Sequence, residues 1–274
     1  MAEAEGLEAG KHSGTVLQRV LAMKQRLRAG KTIIGAWLGL TDPAAAEILG
    51  RMGFDFVIAD TEHGAWNIES LQRTVMALNG SDTVPIARVP WNDHVYIKQA
   101  LDLGIEGIMA PMVNSVEECR ALVAACKYPP AGRRGSGPKR ASNYYRDAQE
   151  YFAVANDAIF VMPQIESVDT VGDINSYVAV PGIDAIAIGP NDMSGTAGVF
   201  GNRKHPKVQG AIDKIAAAAK AAGIPVFLGI NTPPSEQREL VGKGFRILTV
   251  ANDFELLVVG ARDALAATKA VLTP

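Results

Sequence analysis

The stretch FDFVIADTEHGAW, residues 54–66, opens as the close of a buried strand and ends with Asp60, Glu62 and His63 inside four positions. Three titratable groups so placed are costly in a core unless something pairs with them or coordinates them. The stretch leads into the amphipathic IESLQRTVMALNG, residues 68–80, so the two together read as one strand–helix unit with polar groups at the strand's carboxyl end. The fold turns on how often that unit recurs.

It recurs along the whole chain. Runs rich in Val, Ile and Ala begin at 33 (IIGAWLGL), 56 (FVIADT), 84 (VPIARVP), 107 (GIMAPMV), 159 (IFVMPQIE), 183 (IDAIAIGP), 224 (IPVFLGI) and 246 (RILTVAN), with amphipathic stretches between them and Gly, Pro or Asn at the joins. Eight strands alternating with helices, without a break in composition, predict a closed (β/α)8 barrel, a TIM barrel, rather than an open doubly wound sheet. TVLQRVLAMKQRLRAG, residues 15–30, reads as an extra N-terminal helix, and ELLVVGARDALAATKAVL, residues 255–272, as the closing one. Residues 1–14 read as a flexible tail and 15–274 as a single barrel domain.

One interval breaks the rhythm. About 45 residues separate the fourth and fifth runs and include GRRGSGPKRASNYYR, residues 132–146, with Arg133, Arg134, Lys139, Arg140 and Arg146. Loops of that length in compact barrels are usually functional or disordered. Two readings stand side by side: an anion-contacting loop over the barrel mouth, or a solvated basic surface loop.

Composition narrows the function. With a formal net charge of -2 and a pI near 6.1, there is no global field to draw nucleic acid or an anionic membrane. No run of about 18 uninterrupted apolar residues appears, and the N-terminus lacks the apolar stretch of a secretory signal. A cytoplasmic protein acting on a small molecule is expected. Cys119 and Cys126, seven apart at helical spacing, lie roughly 10 Å apart along a helix axis, beyond disulfide reach. They are expected to be reduced.

In barrels of this kind polar groups at the carboxyl ends of the strands converge on one mouth. Collecting them gathers Asp60, Glu62 and His63 from the second strand, Arg88 from the third, Gln164 and Glu166 from the fifth, and Gly189, Asn191 and Asp192 from the sixth. By alternation Gln164 shares a strand face with Glu166, and Ile86 shares one with Arg88. Clustered carboxylates raise one another's pKa unless a cation sits between them. All-oxygen ligation favours magnesium, manganese or cobalt over a structural zinc. His63 is a candidate general base, or a structural histidine bonded to Asp60. Arg88 either holds a developing oxyanion or neutralises Asp60, and Asp192 reads equally as a helix N-cap. A Schiff-base mechanism needs a lysine on an inner strand face; none of the eight runs contains one. GSGPKR lacks the third glycine of a dinucleotide motif, and no strand leads into it.

The segments ADTEHG, ARVPWNDHVYIKQALDLG, APMVNSVEE, KYPPAGRRGSG, QIES and GIDAIAIGPNDMS resemble the HpcH/HpaI aldolase family, the metal-dependent class II pyruvate aldolases, in register from about residue 30 to beyond 250. The resemblance implies a divalent metal bound by Glu166 and Asp192, with pyruvate chelating it in a pocket lined by Gly189, Asn191 and Gln164. It further implies Arg88 stabilising the enolate, His63 transferring the proton, and Asp60 and Glu62 in support. Asp102 matches an aspartate that acts on a neighbouring subunit's histidine. A homo-oligomer is therefore implied, a hexamer built as a trimer of dimers with the C-terminal helix exchanged between subunits. Aldol cleavage of a 4-hydroxy-2-oxo acid is the expected reaction. The alternative is oxaloacetate decarboxylation, alone or coupled to carbon–carbon bond formation; a non-catalytic barrel fits less well, because every expected ligand is present. The loop at 132–146 is shorter than the family's usual version, and FLGINTPP also departs from it, so the aldehyde half is the open part of the substrate.

Overall fold

A computed structural model of the chain describes residues 17–272, so the expected tail at 1–14 lies outside the described residues. Eight parallel strands close in sequence order, each pairing with its neighbours and the last with the first. They are β1 (Ile33–Leu38), β2 (Phe56–Asp60), β3 (Val84–Arg88), β4 (Gly107–Ala110), β5 (Phe160–Ile165), β6 (Ile186–Ile188), β7 (Val226–Asn231) and β8 (Phe245–Asn252). This is the predicted (β/α)8 barrel.

Alternation decides what each face buries. Ile33, Trp37, Phe56, Ile58, Val84, Ile86, Phe160, Met162, Phe227 and Ile247 form one cluster inside the barrel. The intervening residues, among them Ala59, Ala87, Ile108, Val161 and Ile165, pack outward against the helices. The helix α1 (Gln18–Arg28) contributes Val20, Met23 and Leu27 to the interior cluster, so it plugs the foot of the barrel.

The helices between strands start on defined caps. In α2 (Pro43–Arg51) the Asp42 side chain accepts from Ala44 N; α3 (Ile68–Ala77) and α5 (Val116–Cys126) open with capping boxes at Asn67 and Ser115; in α4 (His94–Asp102) Asp93 caps Val95 and Tyr96. Each cap satisfies backbone N–H groups that the first turn leaves without partners. Cys119 and Cys126 are buried free thiols, and burial pushes each up to about 12.

The long interval after β4 differs from the expected loop. It holds a second helix, α6 (Ala148–Ala158), which buries Tyr151, Ala155 and Ala158 on one face. The basic segment before it does not reach over the mouth. Arg134 is buried, pairs with Asp102 at 2.8 Å and stacks on Tyr128 at 4.5 Å. Arg140 donates to Leu103 O and Asn79 Oδ1 just past the ends of α4 and α3, so these two cations fasten the loop to the helix ends at the foot.

Below the plug, Arg19 Nε meets Glu106 Oε1 at 2.7 Å, and its Nη1 donates to Leu78 O and Ser81 O. Burial pushes the Glu106 carboxyl above its ordinary 4.5, with the Arg19 charge opposing. In the variant Arg19→Met the acid would be left buried and unpaired, and a loss of about 3–5 kcal/mol is expected. Because the folded pKa is raised, that loss is relieved as pH falls toward 4.5 and grows above it. Urea melts at pH 5 and pH 8 check both the size and the sign.

The remaining helices are α7 (Ile174–Val178), α8 (Pro190–Thr196), α9 (Pro206–Ala221), α10 (Pro234–Lys243) and α11 (Asp253–Leu272). The last is fixed to the barrel at its first residue, where the Asp253 carboxylate accepts from Gly39 N and Leu40 N. Beyond Asp253 none of its described residues is buried, and Leu256, Leu257, Val258, Leu265 and Val271 are exposed. Ile34 on β1 and Val250 on β8 also remain uncovered.

Candidate active site

The carboxyl ends of the strands surround a cavity of about 430 Å³ whose lining includes Trp37, Asp60, His63, Arg88, Gln164, Gly189, Asn191, Asp192, Arg203, Asn231 and Glu255. Strand register places its first charge pair. Asp60 and Arg88 are directly paired residues on β2 and β3, and Arg88 donates Nε to Asp60 Oδ1 at 2.8 Å and Nη2 to Oδ2 at 2.6 Å. The fork is bidentate, which fixes the guanidinium plane as well as its charge. Trp37 on β1 holds the same group from below, with Arg88 Cζ 4.7 Å from its ring centre and the indole N–H on Thr249 Oγ1 at 3.0 Å.

Glu62 lies 3.2 Å from Arg88 Nε and 3.7 Å from His63 Nε2, yet its Oε2 accepts no hydrogen bond. Arg88 aims its N–H groups at Asp60, so Glu62 feels the charge without the bond. Burial raises the Glu62 carboxyl, with Arg88 and His63 opposing. The Asp60 carboxylate also accepts the His63 backbone N–H at 3.3 Å, fixing the turn that presents the imidazole. The His63 side chain is 63% exposed and stands at the mouth.

Glu166 sits at the opposite extreme. It is 1% exposed, its Oε1 accepts from Gln164 Nε2 at 2.7 Å, and its Oε2 accepts from Met112 N at 2.7 Å. Met112 adopts a left-handed φ of 51°, rare for a side chain of its size, and that turn after β4 is what aims its N–H at the carboxylate. A Cβ at position 189 would overlap Glu166 Oε1 and come within 2.7 Å of Gln164 Nε2, so glycine there is required by the close approach of the backbone. Asp192 lies in the first turn of α8, whose N-cap is Gly189 with no side-chain bond; the capping reading of Asp192 does not hold.

Whether a divalent cation fits can be asked of these atoms. Burial pushes the Glu166 carboxyl up to about 7; the Met112 N–H opposes, and the charges of Glu62 and Asp192 push the same way as burial. A bound cation removes that penalty. Gln164 Oε1 is a buried acceptor without a partner in the same place, ready for a water of a hydrated ion. Among the described residues no three His, Cys, Asp or Glu side chains form a ready cage. Two carboxylates with water completing the shell suit magnesium or manganese, which keep several waters. The residues fit such an ion.

Of the residues singled out from the sequence, Asp60, His63, Arg88, Gln164, Gly189, Asn191 and Asp192 line one cavity, and Glu62 and Glu166 touch members of that set. Asp102 is not with them. It ends α4 at the foot, paired with Arg134. Trp37, Met112 N, Arg203, Asn231 and Glu255 are additions from the structure.

A parallel barrel with a fixed guanidinium, an imidazole and several carboxylates around one mouth cavity has the architecture of an enzyme acting on a small molecule. The sequence profile of HpcH/HpaI aldolase/citrate lyase matches residues 33–259. A 4-hydroxy-2-oxo-heptane-1,7-dioate aldolase of Salmonella paratyphi C is 41% identical over 249 residues, 90% of this chain and 93% of that protein. Among solved structures, an HpcH/HpaI aldolase/citrate lyase family protein from Burkholderia cenocepacia J2315 superposes with a TM-score of 0.85 at 29% identity, over 90% of this chain and 99% of the other. Macrophomate synthase does so at 0.80 and 29%, over 95% and 92%. The chain belongs to the HpcH/HpaI aldolase/citrate lyase family and is an enzyme of its pyruvate aldolase kind.

Proposed function

We propose that this chain cleaves a 4-hydroxy-2-oxo acid to pyruvate and an aldehyde, with magnesium or manganese, or cobalt in their place, held by Glu166 and Asp192. The observation that carries the reading is the convergence at one mouth of a rigidly held Arg88 and a buried carboxylate pushed up to about 7. When bound, the cation supplies an electrophile for the keto and carboxylate oxygens of the substrate.

The residues supply the rest. Breaking the C3–C4 bond leaves an electron pair that moves into the enolate of pyruvate, while the C4 hydroxyl loses its proton as the aldehyde forms. Arg88 engages Asp60 through Nε and Nη2, which leaves Nη1 to donate to the C2 oxygen as its charge grows. His63, at the mouth where the C4 side of a bound substrate would lie, takes the hydroxyl proton; Glu62 at 3.7 Å favours the imidazolium that results. Gln164 and the backbone at Gly189 and Asn191 shape the pyruvate end. Protonation of C3 completes pyruvate.

Decarboxylation of oxaloacetate through the same enolate, alone or coupled to carbon–carbon bond formation, is a second reading, with whose bond-forming arm the likeness to a protein named as a synthase is compatible. The reactions differ in one proton. Only the aldol needs a base for a hydroxyl, so His63→Ala should lose pyruvate release from 4-hydroxy-2-oxo acids and keep oxaloacetate decarboxylation; equal retention of both would refute the base role. A coupled pyruvate assay over both substrate classes reads the result.

Assembly is part of the proposal. The apolar face of α11 and the uncovered Ile34 and Val250 support a homo-oligomer in which this helix crosses to a second copy. A hexamer, a trimer of dimers, would let Asp102 of one chain support His63 of another, which the exposure of His63 leaves room for. Sedimentation of the full chain and of Leu257→Lys tests it; a monomer in both would sink the idea. No helix among the described residues is long and apolar enough to cross a membrane, and we place the enzyme in the cytoplasm.

A further inference from the structure

Glu166 stands one residue past the end of β5, and the last pairs of that strand with β6 are Gln164 with Ala187 and Ile165 with Ile188. Its backbone N–H therefore lies beyond the ladder. A side chain takes it instead. Asn114 Oδ1 accepts from Glu166 N at 2.8 Å and from Ser167 N at 3.0 Å.

The same turn reaches the strand end at two further points. Met112 N donates to the Glu166 carboxylate and Val113 N to Gln164 O at 3.0 Å, so three consecutive residues after β4 grip the segment that carries the acid. Asn114 is itself held through its backbone. Its N–H donates to Glu118 Oε2 at 2.8 Å, within the capping box of α5, and its C=O accepts from Thr170 Oγ1 at 2.9 Å. On the other side of Glu166, Thr196 of α8 shares its hydroxyl proton between Glu166 O at 3.2 Å and Met193 O at 3.0 Å. The helix that bears Asp192 is thereby referenced to the same residue. With its carboxylate and its backbone both bonded, Glu166 has little freedom to turn, and a cation gains from a ligand already in place.

We propose that Asn114 is a positioning residue for the metal site, which holds the N–H groups of Glu166 and Ser167 and so aims the Glu166 carboxylate at a divalent cation shared with Asp192. The inference rests on the metal-dependent reading above. Asn114 acts through Glu166 and not on the substrate. A side chain without the acceptor leaves two backbone N–H groups unpaired, and the strand end relaxes with Glu166 on it.

The test titrates manganese into the full chain, followed by electron paramagnetic resonance, in about 0.5 M salt to screen the added charge of an aspartate variant. Asn114→Ala should weaken manganese binding about tenfold to a hundredfold, the usual effect of removing a group that orients a ligand. Asn114→Asp keeps an oxygen facing both N–H groups and should return the affinity to near that of the intact chain. Circular dichroism confirms that each variant is folded when titrated, so a loss of stability alone does not move the dissociation constant. Should the alanine variant not fold, Asn114→Ser, whose hydroxyl falls one bond short of both N–H groups, carries the same expectation. Unchanged manganese affinity in these variants overturns the assignment, as does an aspartate variant as weak as the alanine or serine one. An intact chain that binds no manganese overturns the metal reading itself.

Discussion

Arg88→Ala is expected to lower kcat for aldol cleavage by about a hundredfold to a thousandfold, the effect of removing one well-placed donor from a developing oxyanion. KM should move less, since the lost bond strengthens only as charge reaches the C2 oxygen. Arg88→Lys should recover little. A lysine ammonium cannot reproduce the fork onto Asp60 at 2.8 and 2.6 Å, nor lie flat over Trp37. It would also leave Asp60 and Glu62 facing each other with a mobile charge between them. Steady-state rates of pyruvate release, with circular dichroism to confirm folding, check the result; a lysine variant near full activity would show that Arg88 acts as a charge alone.

The second large effect is at Glu166. Glu166→Gln should reduce pyruvate release by about a thousandfold or more, because one of two carboxylates that would hold the cation is gone and with it several kcal/mol of electrophilic assistance. Chelator should silence the intact enzyme, and magnesium or manganese should restore it. Binding gives an independent readout: manganese titrated by electron paramagnetic resonance should associate with the intact protein and fail to do so with Glu166→Gln. Tight manganese binding by that variant would remove Glu166 from the ligand set. The amide cannot inherit the bond pattern either, since its NH2 would face the N–H groups of Met112 or Gln164.

The contrast between Arg88 and Asp102 shows what a sequence carries and where it stops. Asp60, Arg88, Gln164 and Glu166 are legible because a parallel strand has period two and a barrel has one mouth, so a polar residue at a strand's carboxyl end has a fixed address. Trp37 obeys the same alternation on β1 but reads as one more core aromatic, since only the fold brings it under a guanidinium. Asp102 lies on a helix end at the foot, paired with Arg134, and the part proposed for it would need a second copy of the chain. The helix Ala148–Ala158 was hidden by the basic segment before it, although Tyr151, Ala155 and Ala158 have helical spacing. Met112 was not legible at all. Its contribution is a backbone N–H set by a left-handed turn, and no side-chain pattern announces it.

The helix α1 stops the foot of the barrel with Val20, Met23 and Leu27, so among the described residues the cavity opens at the mouth, where the strands end. Glu166 is at the bottom of that room and His63 at its threshold, 1% exposed against a side chain 63% exposed. On the proposed reaction the aldehyde, made at the threshold, is expected to leave first, with pyruvate following from the floor. Such an order makes pyruvate alone competitive with substrate in product inhibition, and it lets traffic at the doorway govern the pace of turnover.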